Sequence, residues 1–191
     1  MCPAQAWGEN LTALLKTTAI DIPVLETERL ILRAHRLDDF EACVTIFSDP
    51  DVTRFLGGKP MTREEIWGRF LRQPGHWALL GYGIWAVEEK QTGAFIGGIG
   101  FLDAKRDMVP SLDGMPEMGW VLSPRAHGNG YATEAVRAAQ AWGEAHFGKV
   151  RTVCIIAPQN RASLRVAEKC GFRAWQNTTY KDEPTIVLVR D

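Results

Sequence analysis

The sequence predicts a single domain of mixed α and β structure, and three observations predict it. Residues 82 to 102 alternate in character on either side of Lys90-Gln91-Thr92-Gly93, the pattern of two antiparallel strands joined by a turn. Glu117 to Leu122 is an extended apolar run that passes through a glycine-bearing stretch into a helical pattern ending near Phe147. Lys149 to Ala157 carries Val150, Val153, Ile155 and Ile156, the β-branched composition of a well-buried strand. A hairpin followed by a strand-helix-strand unit belongs to the mixed class.

Size and composition fit one domain. The 191 residues suffice for a sizeable core, with 1–22 read as an N-terminal extension and 23–191 as the domain. A hydrophobic fraction of 46% and a charged fraction of 24% are ordinary for a soluble protein. The formal net charge of -1 gives no reason to expect nucleic acid or an anionic membrane as partner. The N-terminus lacks a basic start followed by an apolar core, and no run approaches the ~20 apolar residues that span a bilayer. Cys2, Cys43, Cys154 and Cys170 form no Cys-x-x-Cys pair and no metal-ligand spacing. Three of them sit in apolar segments and read as small buried hydrophobes, a usage that suits a reducing cytoplasm.

The elements follow in order. Leu11, Leu14 and Leu15 offer one short amphipathic turn in a weakly patterned extension. A short strand is expected within Glu28 to Arg33. Phe40, Cys43, Val44 and Phe47 share one helical face, and Asp49-Pro50-Asp51 ends that helix because Pro50 disfavours the α region at Asp49. Thr62 and Glu65 form a capping box for a second helix, with Ile66 and Phe70 on its apolar face and an expected end at Gln73-Pro74-Gly75. The glycines of Phe95-Ile96-Gly97-Gly98-Ile99-Gly100-Phe101 mark a bulge or a close packing partner. Asp103 to Pro116 reads as a solvent-exposed connection rather than a rim of a site. In the next strand Glu117, Gly119 and Val121 share one face, and Met118, Trp120 and Leu122 the other. Ala132, Ala135, Val136, Ala139 and Trp142 line one face of the long helix, with Trp142 in the core. Asn160 is a suitable N-cap for Arg161 to Cys170, Gly171 a suitable residue just past it, and Thr185 to Arg190 a final strand.

The chemistry is concentrated in Arg125-Ala126-His127-Gly128-Asn129-Gly130-Tyr131-Ala132. Gly128 and Gly130 lack Cβ atoms, so backbone there can lie close to a ligand. The first amides of the following helix have no internal partner and, with the helix dipole, favour an anion. A dinucleotide fingerprint would need a third glycine where Thr133 stands, and no Gly-Lys is followed by Ser or Thr as a P-loop requires. The remaining readings are a pyrophosphate cradle and a plain linking turn.

The pattern Arg-x-x-Gly-x-Gly resembles the acyl-CoA pyrophosphate loop of the GCN5-related N-acetyltransferases (GNAT). Asn160-Arg161-Ala162-Ser163, then Glu168-Lys169-Cys170-Gly171-Phe172, resembles a second signature of that family, in the expected order. Thr27-Glu28-Arg29-Leu30 followed by Leu32-Arg33 is similar to the opening strand of its ribosomal-protein Nα-acetyltransferase-like subgroup, the RimJ/RimL type. The resemblance covers about residues 24 to 190. It implies a central, mostly antiparallel twisted sheet of about six to seven strands, flanked by about four helices and splayed at the acyl-CoA site. It implies transfer of an acetyl group from acetyl-CoA to a primary amine by direct attack, with no metal, and leaves a homodimer open. Arg125 to Ala132 would bind the pyrophosphate, and a backbone amide near Val121 or Leu122 would polarise the thioester carbonyl. A tyrosine that many members use to protonate the leaving thiolate is replaced by Ala167, so Ser163 would be the acid. Asn160 would hold cofactor or acceptor, and Glu117 would take the amine proton directly or through water.

Freeing a lysine-like amine of its proton at pH 7 costs roughly 4 to 5 kcal/mol, an α-amine only about 1 kcal/mol. One carboxylate is therefore better matched to an N-terminal or other low-pKa amine. Two further readings are an acyl-CoA-binding regulatory module without turnover and another phosphate-ligand enzyme, the latter disfavoured by the hairpin and the failed fingerprints. Ribosomal-protein N-termini, aminoglycosides, polyamines and small metabolites are all acceptors on this scaffold. On the acceptor side, Phe55, Trp77, Trp85 and Met108 are candidates, with core packing an equal account of each.

Overall fold

A computed structural model of the chain describes residues 20–191. The Leu11, Leu14 and Leu15 turn, Cys2 and most of the N-terminal extension lie outside them. Among the described residues, eight strands form one open sheet in the order β1-β2-β3-β4-β5-β6-β8-β7. They are β1 (Leu25–Glu26), β2 (Leu30–Arg33), β3 (Ile84–Glu89), β4 (Ala94–Leu102), β5 (Glu117–Leu122), β6 (Thr152–Ile156), β7 (Arg173–Tyr180) and β8 (Glu183–Arg190). Five α-helices accompany them among the described residues: α1 (Phe40–Phe47), α2 (Pro50–Thr53), α3 (Arg63–Leu80), α4 (Tyr131–Phe147) and α5 (Arg161–Lys169). Every neighbouring pair is antiparallel except β5 with β6. The strand and helix numbers exceed expectation because β1 and α2 are only two and four residues long, too short to leave a periodicity.

The parallel pair is the irregular place. Glu117 lies opposite Val153, and no other register position joins β5 to β6. Beyond that bridge the strands part toward their C-terminal ends. The sheet is therefore splayed, as the family resemblance implies.

One face of the sheet is covered by α4 and α5. Ala135, Val136 and Ala139 of α4 and Ala167 of α5 are buried there with Leu32, Trp85, Ile99, Met118 and Cys154. Trp142 packs edge-on to Trp77 and Trp85, which confirms a core role for all three and removes Trp77 and Trp85 as acceptor contacts. The opposite face is divided. Over β3 and β4, α1 and α3 bring Cys43, Ile46, Ile66 and Phe70 onto Ala86 and Phe95. Over β6 and β8, Leu112 is buried with Val153, Val187 and Val189, and Met108 and Met115 pack beside it. The Asp103 to Pro116 segment is thus no plain exposed connection: its apolar residues roof the distal half of the sheet.

The helix α3 also departs from expectation. It runs through Pro74 to Leu80 and ends at Gly81, which is left-handed (φ 73°). Pro74 removes one intrahelical bond. Burial of Trp77 and its indole N–H, which donates to the Ile84 carbonyl at 3.3 Å, hold the last turns against that loss. The Thr62–Glu65 capping box forms, and Asp49 caps α2 with Pro50 at its first position.

Candidate active site

Between β5 and α4 the chain makes a short 3₁₀ turn, Pro124–Ala126, then Gly128 (φ 80°) and Gly130 (φ 79°), both left-handed. Gly130 is the N-cap of α4 and its side-chain-free position leaves the helix start uncapped. The amides of Ala126 and His127 are satisfied by Ser123 and Pro124. Among the described residues, those of Gly128, Asn129, Gly130, Tyr131 and Ala132 have no partner. This row of free N–H groups crowns a 17-residue helix beside the gap between β5 and β6.

Side chains brace the loop from outside. Arg29 donates through Nη1 to the Asn129 carbonyl at 2.9 Å and through Nε to Glu134 at 2.8 Å, and its guanidinium stacks 4.7 Å over Tyr131. The Thr27 hydroxyl donates to Glu134 at 2.6 Å. The hydroxyl of Tyr131 donates to Glu89 at 2.6 Å. A carboxylate in the first turn is thereby neutralised, so the free amides do not face an uncompensated negative charge. His127 Nε2 lies 3.1 Å from the Leu122 carbonyl, and Arg125 donates to the Phe95 carbonyl at 3.3 Å. Thr27 and Arg29 were missed as site residues, although the stretch that holds them was one of the quoted resemblances. An open depression of about 530 Å³ flanks Gly130 and Thr133 and is lined by Arg29, Arg137 and Lys169 together with Glu28 and Glu134.

On the other wall, Asn160 is the N-cap of α5: its Oδ1 accepts from the Ser163 amide at 3.1 Å. The Ser163 hydroxyl has no hydrogen-bond partner among the described residues. Both follow β6 across the gap from Val121 and Leu122.

At the foot of the gap, Glu117 is buried and both its oxygens are engaged. Arg106 Nε and Nη2 donate to them at 2.6 Å each, a bidentate pair. Burial pushes the Arg106 guanidinium down, but Glu117 and Tyr180 outweigh it and hold it above its ordinary value. Arg106 also stacks 4.8 Å from the Tyr180 ring. Nothing in the sequence pairs Arg106 with Glu117, because the loop between them takes its path from the burial of Leu112. Cys43, Cys154 and Cys170 are all buried, and burial raises all three thiols, Cys43 to about 12. They sit as core residues, not as nucleophiles. No group of potential metal ligands occurs among the described residues.

The family described as Acetyltransferase (GNAT) domain matches residues 29–173, and the chain belongs to that family. Its relatives are named accordingly. The uncharacterized N-acetyltransferase YoaA of Bacillus subtilis is 31% identical over 152 residues, covering 79% of this chain and 83% of its own. The uncharacterized protein YkkB of the same organism is 33% identical over 174 residues, 87% of this chain and 94% of its own. An acetyltransferase of Agrobacterium tumefaciens superposes with a TM-score of 0.77 at 31% identity, covering 90% of this chain and 95% of that one. The protein is thus an enzyme of the acetyltransferase class. More distant structures share the fold alone. One is the RimL ribosomal L7/L12 alpha-N-protein acetyltransferase, solved in complex with coenzyme A (14% identical, TM-score 0.72, covering 88% of this chain and 97% of that one).

Proposed function

We propose that the protein transfers an acetyl group from acetyl-CoA to a primary amine, a protein N-terminus or a small molecule, by direct attack. The observation that carries the donor assignment is the row of unpartnered amides from Gly128 to Ala132 at the start of α4, beside the parted strands. Such a row suits a pyrophosphate, which accepts several N–H bonds at once. Arg137 and Lys169 add positive charge in the adjoining depression, where Arg29 is paired with Glu134 and Glu28 also lines the wall, and this modest positive balance favours a nucleotide phosphate.

In this reading the thioester lies between β5 and β6. A backbone amide near Val121 or Leu122 polarises its carbonyl, and catalysis comes mainly from positioning and from that polarisation. Ser163 hydrogen-bonds the departing sulfur, and Asn160 fixes the helix start that carries it. Glu117 accepts from Arg106 with one lone pair on each oxygen, and each oxygen keeps another. We therefore assign it the water-mediated route for the amine proton rather than direct contact. The RimJ/RimL-type subgroup remains our reading of the Asn160 to Ser163 pattern, of Ala167, and of the opening strand.

Gly128→Asp tests the loop. A Cβ at Gly128 meets nothing within 4 Å, and aspartate tolerates left-handed backbone, so the fold should survive. Coenzyme A affinity, measured by calorimetry, is expected to fall at least about a hundred-fold, since loss of two or more such bonds costs roughly 3 kcal/mol. Unchanged affinity in a folded variant would remove the loop as the pyrophosphate site. Thiol release from acetyl-CoA over an amine panel tests turnover itself.

A further inference from the structure

The helix α3 lies on the face of the sheet where Val121 packs beside Ala86 and Phe95, and it carries Arg69, Gln73 and His76, spaced i, i+4, i+7 and hence in one stripe. Arg69 is the unusual member. Its guanidinium lies 4.6 Å over the Phe47 ring, and among the described residues no carboxylate or hydrogen-bond acceptor meets it. Burial lowers it from its ordinary value to about 10, with Arg72 and Arg106 adding repulsion, and it stays charged at neutral pH. Its neighbours are unsatisfied too. Gln73 donates to the Arg69 carbonyl, while its Oε1 is buried without a partner, and so is His76 Nδ1. Of the other charges nearby, Arg106 pairs with Glu117 and Lys105 with Asp103, while Arg72 has no ion pair among the described residues.

A half-buried cation without a counter-ion is poorly compensated, and buried polar atoms without partners cost stability. Three such features on one stripe, within electrostatic reach of Arg106 and hence of Glu117, mark a place prepared for a ligand group. We propose that this stripe binds an anionic group of the acceptor, and that the acceptor is an amine carrying a carboxylate rather than a polycation. Arg69 supplies the fork for the carboxylate, and Gln73 and His76 complete its surroundings. Polyamines and aminoglycosides would bring further positive charge against Arg69, which disfavours them.

This inference rests on the acetyltransferase reading, and the experiment separates the two. With coenzyme A present, carboxylated product analogues (N-acetylglycine, N-acetylalanine, N-acetylglutamate and N-acetylphenylalanine) are each compared with their amides by thermal shift. At least one acid should raise the melting temperature more than its amide, and Arg69→Met should abolish the difference. Arg69→Met itself should melt no lower than wild type, because it removes a half-buried charge that has no ion-pair partner among the described residues and keeps an apolar chain against Phe47. In turnover, free amino acids should exceed their amides, spermidine and kanamycin in kcat/KM. The variant should lose about a hundred-fold on the acids while coenzyme A affinity stays unchanged. If no acid outperforms its amide in binding, or if Arg69→Met leaves the preference intact, the inference is overturned. If acids bind selectively but no amine releases thiol, the acetyltransferase reading fails and the anion site stands.

Discussion

At the scale of single residues, the pairing of Glu117 with Arg106 separates where a group sits from what it can do. Its place on β5 was legible, because strand alternation puts it on the face of Gly119 and Val121. Its state was not, because Arg106 reaches it from a loop whose path is set by Leu112, Met108 and Met115 packing on β6 and β8. Asn160 and Ser163 were legible for a local reason: a cap and the amide it serves are three residues apart. What the hydroxyl of Ser163 does is a matter of chemistry. If it protonates the leaving sulfur, Ser163→Ala should lower kcat on the order of a hundred-fold while coenzyme A affinity is unchanged. Full turnover in that variant, measured by thiol release, would remove Ser163 as the acid.

At the scale of elements, β4 shows why glycines recur in a strand that would otherwise prefer branched residues. A Cβ on Gly97 (φ 146°) would stand 2.2 Å from the Val121 carbonyl oxygen, and one on Gly100 (φ 158°) 2.2 Å from that of Gly83. Both oxygens are backbone and cannot swing away. The sequence announced a bulge or a close approach, and the structure shows both: β4 slips register at Ile96 against β3, Gly97 approaches β5, and Gly100 approaches the backbone just before β3. Gly97→Ala combines an unfavourable φ with a steric conflict, so it should cost about 2 to 5 kcal/mol in chemical denaturation. A loss under about 1 kcal/mol would mean that β4 and β5 separate easily, contrary to this account. The opposite error occurred in α3. Pro74 marked a local stop, but tertiary packing of Trp77 overrode it, and no local signal carries that information.

At the scale of the whole molecule, the mixed class, the hairpin and the parallel unit were readable from period and punctuation. Strand order was not: β8 lies between β6 and β7, a pairing set by long-range contact. Nor was the roof formed by residues 103 to 116. Global stability also carries a pH signature from His35, which packs against Phe70 and Phe95. Burial lowers this imidazole to about 4, with Arg33 contributing and Asp39 opposing. Below about pH 6.5 the unfolded chain takes up a proton that the folded chain refuses until about pH 4. Stability should therefore fall across that window, by up to about 3 kcal/mol from this group. His35→Leu should flatten the dependence of melting temperature on pH between 6.5 and 4, and an unchanged slope would exclude His35 as its source.

The lone bridge between β5 and β6 has a mechanical meaning. Strands β1 to β5 form one plate, and β6, β8 and β7 form another, riveted at Glu117 and Val153 and otherwise joined through the helices behind and the 103–116 segment in front. A plate so joined is most compliant along its seam. A ligand lying in the open part of the seam then acts as a strut between the plates, stiffening the protein while it is bound. In the proposed function, the cleft that would hold the donor is also the line along which the molecule would flex to let it go.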